Sequence, residues 1–286
     1  MNTYQIITDS ACDLPKTMRG QLDVTATPLH ILFRNENLAD SVDEGLQEIY
    51  RGLREGEATS TCAVNPQAWF AAIEPAAAAG QDALVLAFSS GLSTTYQSAV
   101  IAAEEVMEKY PGRTIRVIDT GCAALGQGLL VWYACKKRDE GLSLEDLAAW
   151  CEEIKPHICH WFTVNDLMFL KRGGRISAAT AVVGTMLQIK PVLHVDDNGK
   201  LVSMEKARGR KASIDCLVKK FQELGEGYDN PVVFVCHGDC LDEAQVLERK
   251  LLDAGAKEVF VGNLGAVIGS HAGPGTLAVF FVGKHR

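Results

Sequence analysis

The sequence predicts an α/β architecture built on a mostly parallel sheet, and three observations carry that prediction. Apolar runs of strand length alternate with amphipathic runs of helix length along the chain. Small polar residues and glycines gather after several of the apolar runs, where loops leaving strand ends belong. With 286 residues, 47% apolar and 22% charged, the composition is ordinary for a globular protein and the length suffices for one large or two moderate domains.

The chain opens on strands over 3–8 and 24–33, followed by a helix over 43–55. Pro66 suits the first position of a helix over 66–79, which leads to a strand over 83–88. A helix over 94–110 stops before Gly112, a strand covers 114–118, and a helix over 123–140 stops at Gly141. Ser143-Leu144-Glu145-Asp146 resembles a capping box and starts a helix over 143–155. Beyond it come a strand over 157–163, a helix over 177–188, and strands over 190–195 and 200–206. Asp196-Asp197-Asn198-Gly199 joins that last pair as a hairpin, the clear antiparallel signal. A helix over 208–224, a strand over 231–236, a helix over 241–254 and strands over 257–262 and 276–282 complete the series. The Lys155-Pro156 step after a long helix divides the chain into residues 1–156 and 157–286.

Charge and cysteine content exclude several functions. The 28 Lys and Arg against 36 Asp and Glu leave a net charge of −8, which argues against a nucleic-acid partner. The longest apolar runs, Leu84 to Phe88 and Leu277 to Val282, fall far short of the ~18 residues that a membrane-spanning helix needs. Met1-Asn2-Thr3-Tyr4-Gln5 has neither a basic nor an apolar leader, so a cytoplasmic protein is expected. Nine scattered cysteines without a Cys-x-x-Cys pair fit reduced thiols, mostly in the core. His157-Ile158-Cys159-His160 lacks a second ligand pair and would split its side chains between two strand faces. Cys236-His237-Gly238-Asp239-Cys240 reads as a strand-end turn, and no metal site is expected at either place. From Asp166 to Ala212, nine Lys and Arg stand against four Asp and Glu, a local net charge of +5 that suits an acidic partner or a phosphate as well as a solvated helix face.

In open α/β sheets, ligands bind beyond the carboxyl ends of the strands. Candidate loops there are Thr8-Asp9-Ser10, Ser89-Ser90-Gly91-Leu92-Ser93, Asp119-Thr120-Gly121, His237-Gly238-Asp239 and His271-Ala272-Gly273-Pro274-Gly275. The sharpest is the Ser/Gly turn after Phe88, because a strand, a short turn and a helix from Thr94 aim backbone N–H groups and hydroxyls at one spot. Its plainer explanation is that Ser93 simply caps the helix. Gly126-Gln127-Gly128-Leu129-Leu130-Val131 has Val where a dinucleotide fingerprint needs Gly or Ala, and no stretch matches a phosphate loop, so no nucleotide cofactor is expected. Ser93, His271 and several aspartates are the parts of a serine hydrolase, but Ser89-Ser90-Gly91-Leu92-Ser93 is not a Gly-x-Ser-x-Gly elbow.

Taken together these loops resemble the DegV family of bacterial fatty-acid-binding proteins, over residues 4–284. The ordered matches are Ile7-Thr8-Asp9-Ser10 with Asp13-Leu14, Thr61 with Val64-Asn65-Pro66, Ser89-Ser90-Gly91-Leu92-Ser93 with Thr95-Tyr96-Gln97-Ser98-Ala99, and Ala124-Leu125-Gly126-Gln127-Gly128. They continue through Phe169-Leu170-Lys171-Arg172-Gly173-Gly174-Arg175-Ile176-Ser177, Ile189-Lys190-Pro191, Arg208-Gly209-Arg210-Lys211 and Gly269-Ser270-His271-Ala272-Gly273-Pro274-Gly275. The resemblance implies two α/β domains, with a mostly parallel sheet in the N-terminal lipid-binding part and a mixed sheet in the C-terminal part. It also implies a long-chain fatty acid, such as palmitate or oleate, with its tail buried and its carboxylate at the interdomain cleft. Carried over by motif, the carboxylate ligands are Thr61, Ser93, Thr94 and His271, with no other cofactor and no catalytic residue. Thr94 stands where the family usually has Gly, and Cys62 and Ala63 stand where Ser and Gln are common.

The resemblance further implies a non-enzymatic protein that presents the acid to a fatty acid kinase. The basic side chains of Lys171, Arg172, Arg175, Arg208, Arg210 and Lys211 are then expected to meet that partner, since guanidinium groups present paired donors and stay charged. The competing expectation is a serine esterase or acyl-transfer enzyme using Ser93 and His271.

Overall fold

The computed structural model describes residues 4–177 and 189–286. The N-terminal half is built around a four-stranded parallel sheet in the order β2-β1-β6-β7, formed by β1 (Tyr4–Asp9), β2 (Val24–Thr27), β6 (Asp82–Ala87) and β7 (Ile115–Asp119). A separate antiparallel sheet, β4-β3-β5, is formed by β3 (His30–Phe33), β4 (Glu36–Ala39) and β5 (Thr59–Cys62). The expected single strand over 24–33 is therefore two strands in different sheets. Pro28 stands between them and has no N–H to give to a ladder.

Six strands form the C-terminal sheet in the order β10-β9-β8-β13-β11-β12. They are β8 (Ile158–Thr163), β9 (Ile189–Val195), β10 (Leu201–Arg208), β11 (Val233–His237), β12 (Val259–Asn263) and β13 (Leu277–Val282). Only β11 and β12 pair parallel there, so the sheet is mixed. The hairpin at residues 196–199 joins β9 to β10.

The helices among the described residues are α1 (Lys16–Gln21), α2 (Leu46–Arg54), α3 (Pro66–Ala78), α4 (Thr95–Lys109), α5 (Ala124–Asp139), α6 (Leu144–Ile154), α7 (Met168–Arg172), α8 (Arg210–Gly225), α9 (Leu241–Asp253) and α10 (Ala266–Ala272). Capping by Ser143 of the Asp146 N–H and by Asn65 of the Ala68 N–H matches the expected helix starts. Three short helices, α1, α7 and α10, and the strands β4 and β5 have no counterpart in the sequence pattern. Apart from Ser177, the helix expected over 177–188 lies outside the described residues.

Helix α5 ties the halves together. It packs on β1 and on β8, β11 and β13, and Leu125, Leu129 and Leu130 are wholly buried. Along β8 the side chains alternate: Cys159 and Trp161 join the core on one face, while Ile158 and Phe162 join the core around α5 on the other. His160 shares the α5 side, where its Nδ1–H donates to the Ile158 carbonyl at 2.8 Å and its Nε2 faces the Ala123 N–H at 3.4 Å. The ring fits only because residue 126 is glycine, since a Cβ there would stand 2.1 Å from Nε2. The hairpin tip docks in the same region, where the Ser89 hydroxyl donates to the Gly199 carbonyl at 2.8 Å and Gly199 holds φ +68.

Gly126→Ala should destabilise the protein by about 1–3 kcal/mol in denaturant unfolding, as overpacking a filled core does. Combining it with His160→Ala should recover part of that loss in a double-mutant cycle. Equal stabilities of Gly126→Ala and the parent would contradict the tight contact.

Candidate functional site

The carboxyl ends of β1, β6 and β7 face the six-stranded sheet across a cavity of about 430 Å³, within the usual range of small-molecule sites. Most of its wall is apolar, with Leu29 and Phe88 from the N-terminal half and Phe162, Leu170, Val195 and Phe280 from the C-terminal half. Thr61, Ser93, Thr94, Arg175 and His271 also line it. Several other polar lining groups are engaged within the protein. Ser90 donates to the Asp119 carboxylate, Thr276 donates to the Gly273 carbonyl, and His160 is held as described above.

Each polar residue is placed by a definite element. Thr61 sits on β5, an edge strand that pairs with β3, and its Oγ1 lies 2.8 Å from Nε2 of His271. His271 occupies the last turn of α10, so the segment read as a loop from His271 onward begins as helix. Ser93 ends the turn after β6, accepts from the Thr95 N–H at 3.2 Å, and shares a 2.8 Å hydrogen bond with the Thr95 hydroxyl. It therefore both caps α4 and faces the cavity. Thr94 takes the N-cap position of α4 without a side-chain cap bond.

The Gly173-Gly174 turn after α7 closes on His271. A Cβ on Gly173 would stand 2.1 Å from Nδ1 of the imidazole, so only glycine lets the ring sit there. Arg175 follows, half-buried, with Nε donating to the Leu92 carbonyl at 3.3 Å and Nη1 to that of Gly173 at 2.5 Å. A continuous chain of contacts thus runs from Thr61 through His271, Gly173 and Arg175 to Leu92, next to Ser93. Burial, reinforced by the Arg175 charge, pulls the His271 pKa from 6.5 down to about 4. The ring is neutral at physiological pH and carries one N–H. Burial also lowers the Arg175 pKa, yet a guanidinium remains charged at neutral pH.

The six basic residues do not share one environment. Lys171 and Arg172 are exposed, with the Arg172 guanidinium 4.6 Å from the Phe169 ring centre. Arg208 and Lys211 are exposed where β10 meets α8. Arg210 donates to the Glu243 carboxylate at 2.6 Å and is largely covered. Arg175 departs furthest from the expected outward role because it forms part of the cavity wall. The two glycines beside it were the available signal, since paired glycines mark a close backbone approach.

Cys62 and Ala63 line the cavity next to Thr61. Cys62 is exposed, whereas Cys12, Cys122, Cys135, Cys151, Cys159 and Cys236 are buried free thiols. Among the described residues no group of three or more His, Cys, Asp or Glu side chains is placed to hold a metal ion. No described helix is long and apolar enough to cross a membrane. His271 has no carboxylate hydrogen-bonded to its ring among the described residues, so the Ser–His–acid relay of a hydrolase is not assembled there.

Residues 3–284 match the family described as "Uncharacterised protein, DegV family". The chain belongs to the DegV family. It is 44% identical over 292 residues to a DegV domain-containing protein of Clostridium perfringens, covering 100% of this chain and 99% of that protein. A DegV family protein from Thermus thermophilus, whose structure is described as one of fatty acid binding, is 34% identical with a TM-score of 0.88, covering 98% of this chain and 99% of that one. DegV from Bacillus subtilis, described as a fatty acid binding protein, is 28% identical with a TM-score of 0.84, covering 99% and 100% of the two chains. The α/β fold, with a parallel N-terminal sheet and a mixed C-terminal sheet, is the DegV fold.

The neutral state of His271 is directly measurable. In an NMR pH titration its ring signals should move only near pH 4, and a midpoint near 6.5 would contradict the buried site. Because the folded pKa is depressed, the stability tied to the neutral ring is complete above 6.5 and is lost as pH falls through about 4.

Proposed function

We propose that this protein binds a long-chain fatty acid, such as palmitate or oleate, without chemical turnover. The observation that carries this reading is a mostly apolar cavity in which Thr61, Ser93, Thr94, Arg175 and His271 gather on the wall, while Ser90, His160 and Thr276 make their hydrogen bonds within the protein. An alkyl chain on the apolar wall gains about 0.8 kcal/mol per buried methylene, so roughly 14 methylenes contribute on the order of 10 kcal/mol before ordering costs. The tail supplies affinity. The head group needs only orientation, which the Thr61 hydroxyl held by Nε2 of His271, the Ser93 hydroxyl and the start of α4 provide. Arg175 offsets the carboxylate charge from behind, with two of its nitrogens occupied by backbone carbonyls. The DegV proteins of Thermus thermophilus and Bacillus subtilis, both described as fatty-acid-binding, support this reading.

The hydrolytic alternative is disfavoured by the hydrogen bonding. Ser93 is engaged with Thr95, and His271 with Thr61. Nor does an elbow expose the serine. The protein acts in the cytoplasm as a carrier that presents the carboxyl group to a fatty acid kinase, with a boundary near residue 156 between an N-terminal lipid-binding part and a C-terminal part that supplies the facing wall of the cavity. The exposed Lys171 and Arg172, just before the turn that touches His271, are the basic residues best placed for that partner, together with Arg208 and Lys211.

Mass spectrometry of a solvent extract of the purified protein should find a long-chain fatty acid, and Ser93→Ala should weaken its retention by roughly 1–3 kcal/mol. An extract free of acid from a protein that binds neither added palmitate nor oleate would refute the reading, and Ser93-dependent ester turnover well above background would replace it with the esterase. Arg172→Glu should leave the fatty-acid content unchanged while slowing acyl-phosphate formation by an added fatty acid kinase about tenfold or more, with raised salt acting similarly on the parent. The reverse pattern, lost lipid with kinase turnover intact, would place Arg172 in the lipid site.

A further inference from the structure

Behind the cavity, the start of α10 rests on two buried carboxyl groups. Asp40, following β4, accepts the Ser10 hydroxyl at 2.7 Å and the Val267 N–H at 3.0 Å, one on each oxygen. Asp13 follows the 3-10 turn Ser10–Cys12 with φ +54, a left-handed conformation that a non-glycine residue seldom adopts. Its carboxyl is wholly enclosed. The Gly265 N–H is its nearest donor, but neither oxygen makes a hydrogen bond of normal geometry among the described residues. A Cβ on Gly265 would lie 2.5 Å from Oδ1 of Asp13 and 3.3 Å from Oδ1 of Asp40, so both carboxyls press on the same glycine.

Two carboxylates this close and this dry cannot both ionise cheaply, whereas the N–H groups at the start of α10 favour one negative charge. Asp40 already takes that role through Val267. Asp13 has no donor arranged to hold an anion, which suits the protonated acid. Helix α10 then carries Val267, Ile268 and His271 directly to the cavity wall.

We propose that Asp13 and Asp40 hold one proton between them, that this proton seats α10, and that its loss as pH rises unseats His271 and releases the bound acyl chain. The two aspartates are positioning residues for the head group, and the proposal rests on the fatty-acid reading above. Burial raises the pKa of both, and repulsion from Asp40 adds to the rise at Asp13. The interaction of a group raised in the folded state is complete at low pH and is lost as pH rises through the folded pKa.

Several other titratable groups surround the pair. Asp9 on β1, raised to about 7 by burial, holds the N–H groups of Phe88 and Ala11 and not those of α10. Tyr50 from α2 donates to the Leu264 carbonyl at 2.9 Å, and burial raises its pKa well above the usual value. The thiols of Cys12 and Cys236 are raised as well, while the His30 side chain opposes the rise at Asp40. His271 titrates on the acid side, near 4, because its pKa moves down while those of the two aspartates move up.

The test is the affinity for carboxyl-labelled palmitate as pH is raised from mildly acidic to alkaline. The parent should lose affinity about tenfold per pH unit once the shared proton is gone. Asp13→Asn, which keeps the shape and removes the second charge, should flatten that fall. If this variant does not fold, Asp40→Asn removes the same repulsion and should flatten it likewise. Parent affinity that stays constant into the alkaline range overturns the proposal, as does a fall that persists in a folded variant, which would assign it to Asp9 or another group. Absence of palmitate binding at every pH would refute the fatty-acid reading itself, and this proposal with it.

Discussion

The hydrogen bond between Thr61 and His271 is the contact on which the site depends. It joins β5, in the small antiparallel sheet of the N-terminal half, to the last turn of α10 in the C-terminal half, across 210 residues of sequence. Several features of the surrounding structure allow it. Gly173 leaves room for the ring, Tyr50 packs its hydroxyl where a Cβ on Gly269 would lie, and Asp40 meets the start of the helix. Because the two partners come from different halves, the polar part of the cavity exists only when both halves are in place.

The electrostatics follow from the same arrangement. A histidine buried in an apolar wall beside a guanidinium gives up its charge, so the site presents neutral donors with a single cation set back against backbone carbonyls. Such a set can orient a carboxylate without enclosing it in a tight ion pair, and it leaves the apolar wall to supply binding energy. That combination suits a carrier, which must hold its cargo and also surrender it.

Much of this was legible in the sequence, and what was not has physical causes. The Asp196–Gly199 hairpin and the helix starts at Ser143 and Pro66 announce themselves through local turn, capping and proline chemistry. By contrast, β4 and β5 read Glu-Asn-Leu-Ala and Thr-Ser-Thr-Cys, which have almost no apolar alternation and become strands only by pairing with β3. Helix α10 is seven residues long and contains a glycine, so its periodicity is too short to register, and the contacts of Asp40 and Tyr50 hold it. Thr61, Ser93, Thr94 and His271 were recognisable as a motif set, and all four line one cavity. Arg175 was visible as a charge in a basic run, but its direction is decided by the carbonyls of Leu92 and Gly173, a tertiary fact that charge patterning does not contain.

A crystal structure of the protein with a long-chain fatty acid tests the central claim most directly. The account predicts continuous density for the alkyl chain against Phe88, Phe162 and Phe280, with the carboxylate oxygens within hydrogen-bond distance of Thr61, Ser93 and His271. A chain bound elsewhere on the protein, or one whose carboxylate lies at the opposite end of the cavity from the Thr61–His271 pair, would contradict it.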